Sequence, residues 1–159
     1  MHDGFYDEVE KIWDECVSTI DKGTNAKKEL WICGHSLGAA MACIAASRLY
    51  ESRNVEHVYT YGCPRTGNKH WVEQNHFKHS RFVNNNDIVP KVPLAIMGFR
   101  HHGKLEYINY YGNFRTATIW QRSKDQWRGR WRALRKFQLF DGIMDHLIAN
   151  YVTKLDKSK

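Results

Sequence analysis

The chain has no run approaching the roughly 20 apolar residues that an α-helical membrane span requires, which excludes such a span within its 159 residues. It has no internal repeats and no low-complexity tract, so a single domain over residues 1–159 is the simplest organisation. It has few cysteines, and Cys16, Cys33, Cys43 and Cys63 include no C-x-x-C pair. The expectation is four free thiols in a reducing compartment, with disulfides or a metal as the weaker reading. Cys33 and Cys43 fall in predicted core elements, where cysteine acts as a small hydrophobe. Met1 to Glu10 carries acids and no apolar h-region, so no signal peptide is read there and a cytoplasmic location is expected. Acids are almost missing from one stretch. Between Arg115 and Lys136 only Asp125 stands against Arg115, Arg122, Lys124, Arg128, Arg130, Arg132, Arg135 and Lys136. That stretch accounts for the whole net charge of +7; the rest of the chain is balanced. The apolar content of 42% and aromatic content of 13% exclude a disordered chain.

What is present centres on Gly34-His35-Ser36-Leu37-Gly38. The apolar run Leu30 to Cys33 before it reads as a buried strand, and the alanine-rich run Leu37 to Tyr50 after it as a buried helix. Gly-x-Ser-x-Gly at a strand-to-helix turn is a nucleophile elbow. Gly34 and Gly38 have no β-carbon, so strand and helix can pass closely and lift the serine oxygen above the sheet edge. The backbone N–H of Leu37 and the helix N-terminus point where an oxyanion would form. The plainer alternative is a turn serine that merely caps the helix.

The remaining elements follow from periodicity. Phe5, Val9, Ile12, Trp13, Cys16, Val17 and Ile20 predict one amphipathic helix ending at Lys22-Gly23. Strands are predicted at His57–Tyr61, Ser80–Asn84 and Leu105–Tyr110, and helices at Lys69–Asn75, Gln126–Phe137 and Gly142–Lys154. Gly62 to Asn68 reads as a turn-rich connection. Strands alternating with helices imply α/β architecture, a mostly parallel sheet flanked by helices.

A serine nucleophile needs a histidine base, and the histidine needs an acid to fix its tautomer. On this elbow the acid follows the serine and the histidine comes last. Asp87 lies just past a strand, at the carboxyl end where catalytic groups collect; the alternative is an Asx-turn aspartate. His146 is the last histidine. It opens or lies within the final helix, with a surface histidine as the plain reading. His101 and His102 are the fallback bases. His2, His70, His76, His79, His101 and His102 sit in polar stretches and read as solvated, His57 comes too soon after the serine, and His35 is expected to point away from the active face. Asp145 is a poor triad acid because adjacent side chains on a helix diverge. His70, His76 and His79 match no tight zinc spacing.

Five blocks in order now define a resemblance: His2-Asp3-Gly4-Phe5, Gly34 to Ala40, Tyr59 to Gly67, Asn86 to Pro93, and Asp145-His146. The chain resembles the fungal-type triacylglycerol lipases (class 3 lipases) of the α/β-hydrolase fold. The resemblance implies Ser36 as nucleophile, Asp87 as triad acid, His146 as general base and the Leu37 N–H as one oxyanion donor. The family places more sequence before the first block, holding a strand, the second oxyanion residue and the lid. An N-terminally truncated sheet is therefore expected, with weak catalysis and an open edge that invites self-association.

The reading is a serine ester hydrolase for acyl glycerols or phospholipids that needs no metal or organic cofactor. Two alternatives stand beside it: thioester or peptide cleavage on the same elbow, and a non-catalytic lipase-like module. Trp127, Arg128, Arg130, Trp131 and Arg132 suggest contact with a membrane surface. A solvated basic face is the plain reading, and nucleic acid the least favoured.

Overall fold

The computed structural model describes residues 2–23, 28–109, 111–115 and 144–156. The basic stretch around Trp127, and the helix expected at Gln126–Phe137, lie outside the described residues. The elements are α1 (Asp3–Glu10), α2 (Trp13–Gly23), β1 (Leu30–His35), α3 (Leu37–Leu49), β2 (Val55–Tyr61), β3 (Gly67–Asn68), α4 (Lys69–Gln74), β4 (His79–Asn84), β5 (Phe99–Arg100), β6 (Lys104–Ile108), β7 (Phe114–Arg115) and α5 (Ile148–Asp156).

The central sheet has the order β1-β2-β4-β6-β7, and β3 pairs separately with β5. The β1–β2, β2–β4 and β4–β6 pairings are parallel; β7 joins β6 antiparallel. The expected α/β class and mostly parallel sheet are therefore present. Register brings His35 level with Tyr61 and Tyr61 level with Phe82. The carboxyl ends of β1, β2 and β4 thus form one edge, and the segments that leave it share a small volume.

Helix α3 lies on this sheet. Its Ala39, Ala40, Ala42 and Ala46 are buried, and such small side chains let a helix approach strands closely. The core joins Ala39, Cys43 and Ala46 to Val58, Cys63, Trp71 and Phe77, with Ile32 and Val55 packed against it. Strand alternation sends Ile32 to this side, so Cys33 faces the other way and is exposed, contrary to its expected core position. Cys43 is buried, and all four cysteines are free thiols. The single N-terminal helix expected is two helices, because their contacts differ. Val9 of α1 is buried, whereas Trp13 at the start of α2 lies under Arg48, 3.5 Å from its ring centroid. Arg48 also pairs with Glu10, so one arginine of α3 anchors both helices.

His79 and His102, expected in solvent, are buried. Their hydrogen bonds fix one consistent tautomer set. The Asn75 carbonyl can only accept, so His102 donates through Nε2 at 3.0 Å. Its Nδ1 then accepts from His79 Nδ1–H at 3.1 Å. His79 Nε2 in turn accepts from the Thr60 hydroxyl at 2.7 Å. Every link needs both rings neutral. Burial, the His102 neighbour and Arg81 push the His79 imidazole down to about 3. Burial, with Arg81 and Arg65, does the same to His101.

A histidine whose folded pKa is depressed stabilises the fold fully above its unfolded pKa. That stability is lost as pH falls toward the folded value. The melting temperature is therefore expected to fall steadily from about pH 6.5 to about pH 3, each such histidine removing up to about 1.4 kcal/mol per pH unit. Thermal melts across this window check it, and a flat profile from about pH 7 to about pH 4 would contradict it.

Candidate active site

Ser36 joins β1 to α3 with φ 58° and ψ −125°, a conformation that L-residues rarely adopt and that surrounding structure must enforce. Its N–H bonds to Tyr61 O at 3.0 Å, and its carbonyl accepts Ala39 N–H at 3.0 Å. The elbow is therefore held from the neighbouring strand and from the first turn of α3. Gly34 is required by space, since a Cβ there would lie 2.3 Å from Gly38 O. Gly38 is not: nothing lies within 4 Å of a Cβ built there. The close approach expected from both glycines thus belongs to Gly34 alone. Leu37 opens α3 directly after the serine, which places its N–H among the unpaired donors of a helix start.

Asp87 follows β4 at the same edge. A turn carries it there, with Asp87 N–H bonded to Asn84 O at 2.8 Å and Asn85 at φ 35°. His146 lies in a turn before α5 and not within the final helix; the turn is closed by Leu147 N–H to Met144 O at 3.1 Å. The structure brings the three expected residues together. The Ser36 hydroxyl reaches His146 Nε2 at 2.8 Å. His146 Nδ1 lies 3.0 Å from both Asp87 oxygens. The ionised carboxylate can only accept, so Nδ1 carries the proton and Nε2 is left to accept from the serine.

Asp87 is 1% exposed. Two further donors satisfy it: Val89 N–H at 2.9 Å to Oδ1 and the Tyr151 hydroxyl at 2.6 Å to Oδ2. Tyr151, fully buried, also accepts Asn84 N–H at 3.0 Å. Burial and the Asp87 charge push its phenol far above the usual range, so it stays a donor.

The fallback bases are engaged elsewhere, His101 Nε2 with Pro90 O and His102 with Asn75 O and His79. His35 does not point away from the site. Its ring stacks on His146 with centroids 4.6 Å apart, and Nε2–H donates to His146 O at 2.7 Å. Two other contributors escaped the sequence reading. Gly62, at φ 60°, follows β2, and a Cβ there would lie 2.8 Å from both Asp87 Oδ2 and His146 Nδ1. Its position at a strand end level with the elbow was the available signal. Tyr151 carried none, since only the fold directs its hydroxyl to Asp87.

A serine, a buried carboxylate and an imidazole in this chain order, on the carboxyl edge of a parallel sheet, define the arrangement of a serine hydrolase on an α/β-hydrolase sheet. Residues 1–97 match the family described as Lipase (class 3), and the chain belongs to that family. It is 35% identical to secreted mono- and diacylglycerol lipase A of Penicillium cyclopium over 126 residues, 72% of this chain and 39% of that one. The structure of the Rhizomucor miehei triacylglyceride lipase superposes with a TM-score of 0.62 and 32% identity, covering 67% of this chain and 44% of the lipase. A triacylglycerol lipase whose catalytic centre is a serine protease triad superposes with a TM-score of 0.66 and 26% identity, covering 92% of this chain and 57% of the other. The chain spans from 15% to 39% of the length of the curated relatives it matches. The expected cytoplasmic location, and with it the reducing compartment, does not stand. The Penicillium relative is a secreted lipase, and a chain covering so little of its relatives carries no information about a leader at residues 1–10.

Gly34→Ala is expected to destabilise the fold by about 2 kcal/mol or more through its contact with backbone. Gly38→Ala should be neutral or gain up to about 1 kcal/mol of helix propensity. Melting temperatures of the two variants test the asymmetry; equal losses would show that Gly38 is as crowded as Gly34.

Proposed function

We propose that this chain carries the catalytic residues of a secreted lipase that cleaves acyl-glycerol esters through an acyl-enzyme. The observation that carries the reading is the continuous chain of contacts from Ser36 Oγ through His146 to buried Asp87. In this reading the Ser36 oxygen attacks the ester carbonyl as His146 Nε2 takes its proton. Asp87 holds the imidazole in register and balances the positive charge that forms on it. The Leu37 N–H and the start of α3 stabilise the oxyanion. His146 then returns the proton to the departing alcohol. It next activates a water that releases the acid and restores the serine.

The rim favours a lipid substrate. Leu37, Ile88 and Leu147 each directly follow a member of the constellation and are 46%, 45% and 45% exposed. Met144 and Ile148 extend this apolar rim. Tryptophans among arginines at Trp127, Arg128, Arg130, Trp131 and Arg132 suit docking on anionic lipid as a second contact.

Slow p-nitrophenyl butyrate hydrolysis is expected from this chain. Ser36→Ala and His146→Ala should each lower kcat by at least about 10³-fold and Asp87→Asn by about 10⁴-fold, with stability retained in Ser36→Ala. Hydrolysis that survives Ser36→Ala would end this reading. Absence of activity in every form, against ester, thioester and peptide alike, would favour a non-catalytic module. Charge reversal at Arg128, Arg130 and Arg132 should weaken sedimentation with anionic liposomes and leave butyrate hydrolysis unchanged; intact sedimentation would remove the docking role.

A further inference from the structure

A second buried carboxylate sits beside the base and takes no part in the reaction proposed above. Asp145 precedes His146 and is 9% exposed. Its Oδ2 accepts Asn85 Nδ2 at 2.9 Å and the Asn86 backbone N–H at 3.2 Å. Its backbone carbonyl accepts Asn84 Nδ2 at 2.8 Å. Lys154 of α5 closes the set, with Nζ 2.6 Å from Asn84 Oδ1 and 3.5 Å from Asp145 Oδ1. All three asparagines belong to the turn that delivers Asp87. One residue before the base therefore grips the three residues before the acid.

We propose that Asp145 is a positioning residue for the triad, its carboxylate locking the Asn84–Asn86 turn to the His146 segment and so setting Asp87 against the imidazole. This rests on the serine-hydrolase reading. The covalent path gives no such control, because residues 88–145 separate Asp87 from His146 along the chain. Charge-assisted hydrogen bonds to a buried carboxylate are directional and strong enough to select one geometry. They also hold Asn85 at its positive φ. Ser36, His35 and Asp87 contact His146, and Tyr151 contacts Asp87; none of these side chains reaches residues 85 and 86 in the contacts above.

The test compares Asp145→Asn, of equal volume, with Asn85→Gly, which keeps every charge and suits the left-handed backbone. Each is expected to lower kcat by roughly 10–100-fold with KM nearly unchanged, the scale of an ångström-level misplacement. The strongly deshielded proton resonance of His146 Nδ1–H, measured by NMR, should move upfield in both. A merely structural role would lower the folded fraction and the signal intensity without moving the resonance. An unmoved resonance in Asn85→Gly overturns the proposal, as does unchanged kcat in both variants. Persisting hydrolysis in Ser36→Ala would instead overturn the serine-hydrolase reading. The resonance decides the positioning role even if the chain proves inert toward esters.

Discussion

The buried carboxylate of Asp87 is the constraint on which the site depends. An ionised carboxylate withdrawn from water is strongly destabilising unless its lone pairs are met by donors. Here they come from the His146 ring, the Tyr151 hydroxyl and the Val89 backbone. These donors belong to the turn before α5, to α5 itself and to the loop after β4. The segments therefore cannot separate without leaving a buried charge unmatched, and the same contacts that orient the imidazole tie the C-terminal helix to the sheet. Stability and site geometry are coupled through one side chain.

The sheet supplies the frame for that coupling. Parallel register places the ends of β1, β2 and β4 side by side, so Ser36, Gly62 and Asp87 emerge together without any long excursion. Closeness then decides residue type. At Gly62 a Cβ would strike both Asp87 and His146, and at Gly34 it would strike the first turn of α3. The strained backbone at Ser36 is tolerated because Tyr61 and Ala39 hold its amide and carbonyl. Strain at Ser36 is thus maintained by ordinary backbone bonds from elements packed for other reasons.

Much of this was legible in the residues. The elbow declares itself through local spacing, because a strand, a tight turn and a helix are each encoded within a few positions. Asp87 was legible from its place after a strand, and His146 from chain order. What was not legible depends on burial, which periodicity reports only for apolar residues. β4 buries His79 and Arg81 on one face and Asn84 on the other, so a polar stretch that looks solvated lies in the interior. His79 and His102 were therefore misplaced. His35 was misjudged for a related reason: it was read against the serine next to it in sequence, whereas its partner is the distant His146. Cys33 went the other way, since one step along a strand exchanges core for solvent.

The inward polar residues form two groups with different consequences. Around Asp87 and Asp145 the buried groups are carboxylates that accept from the His146 ring and from the Asn85 side chain. In the Thr60–His79–His102–Asn75 chain they are neutral, and protonation would put like charges 3.1 Å apart between ring nitrogens. The histidine group fails as pH falls, by gaining charge. The fold is thus most secure where His79 and His101 are neutral.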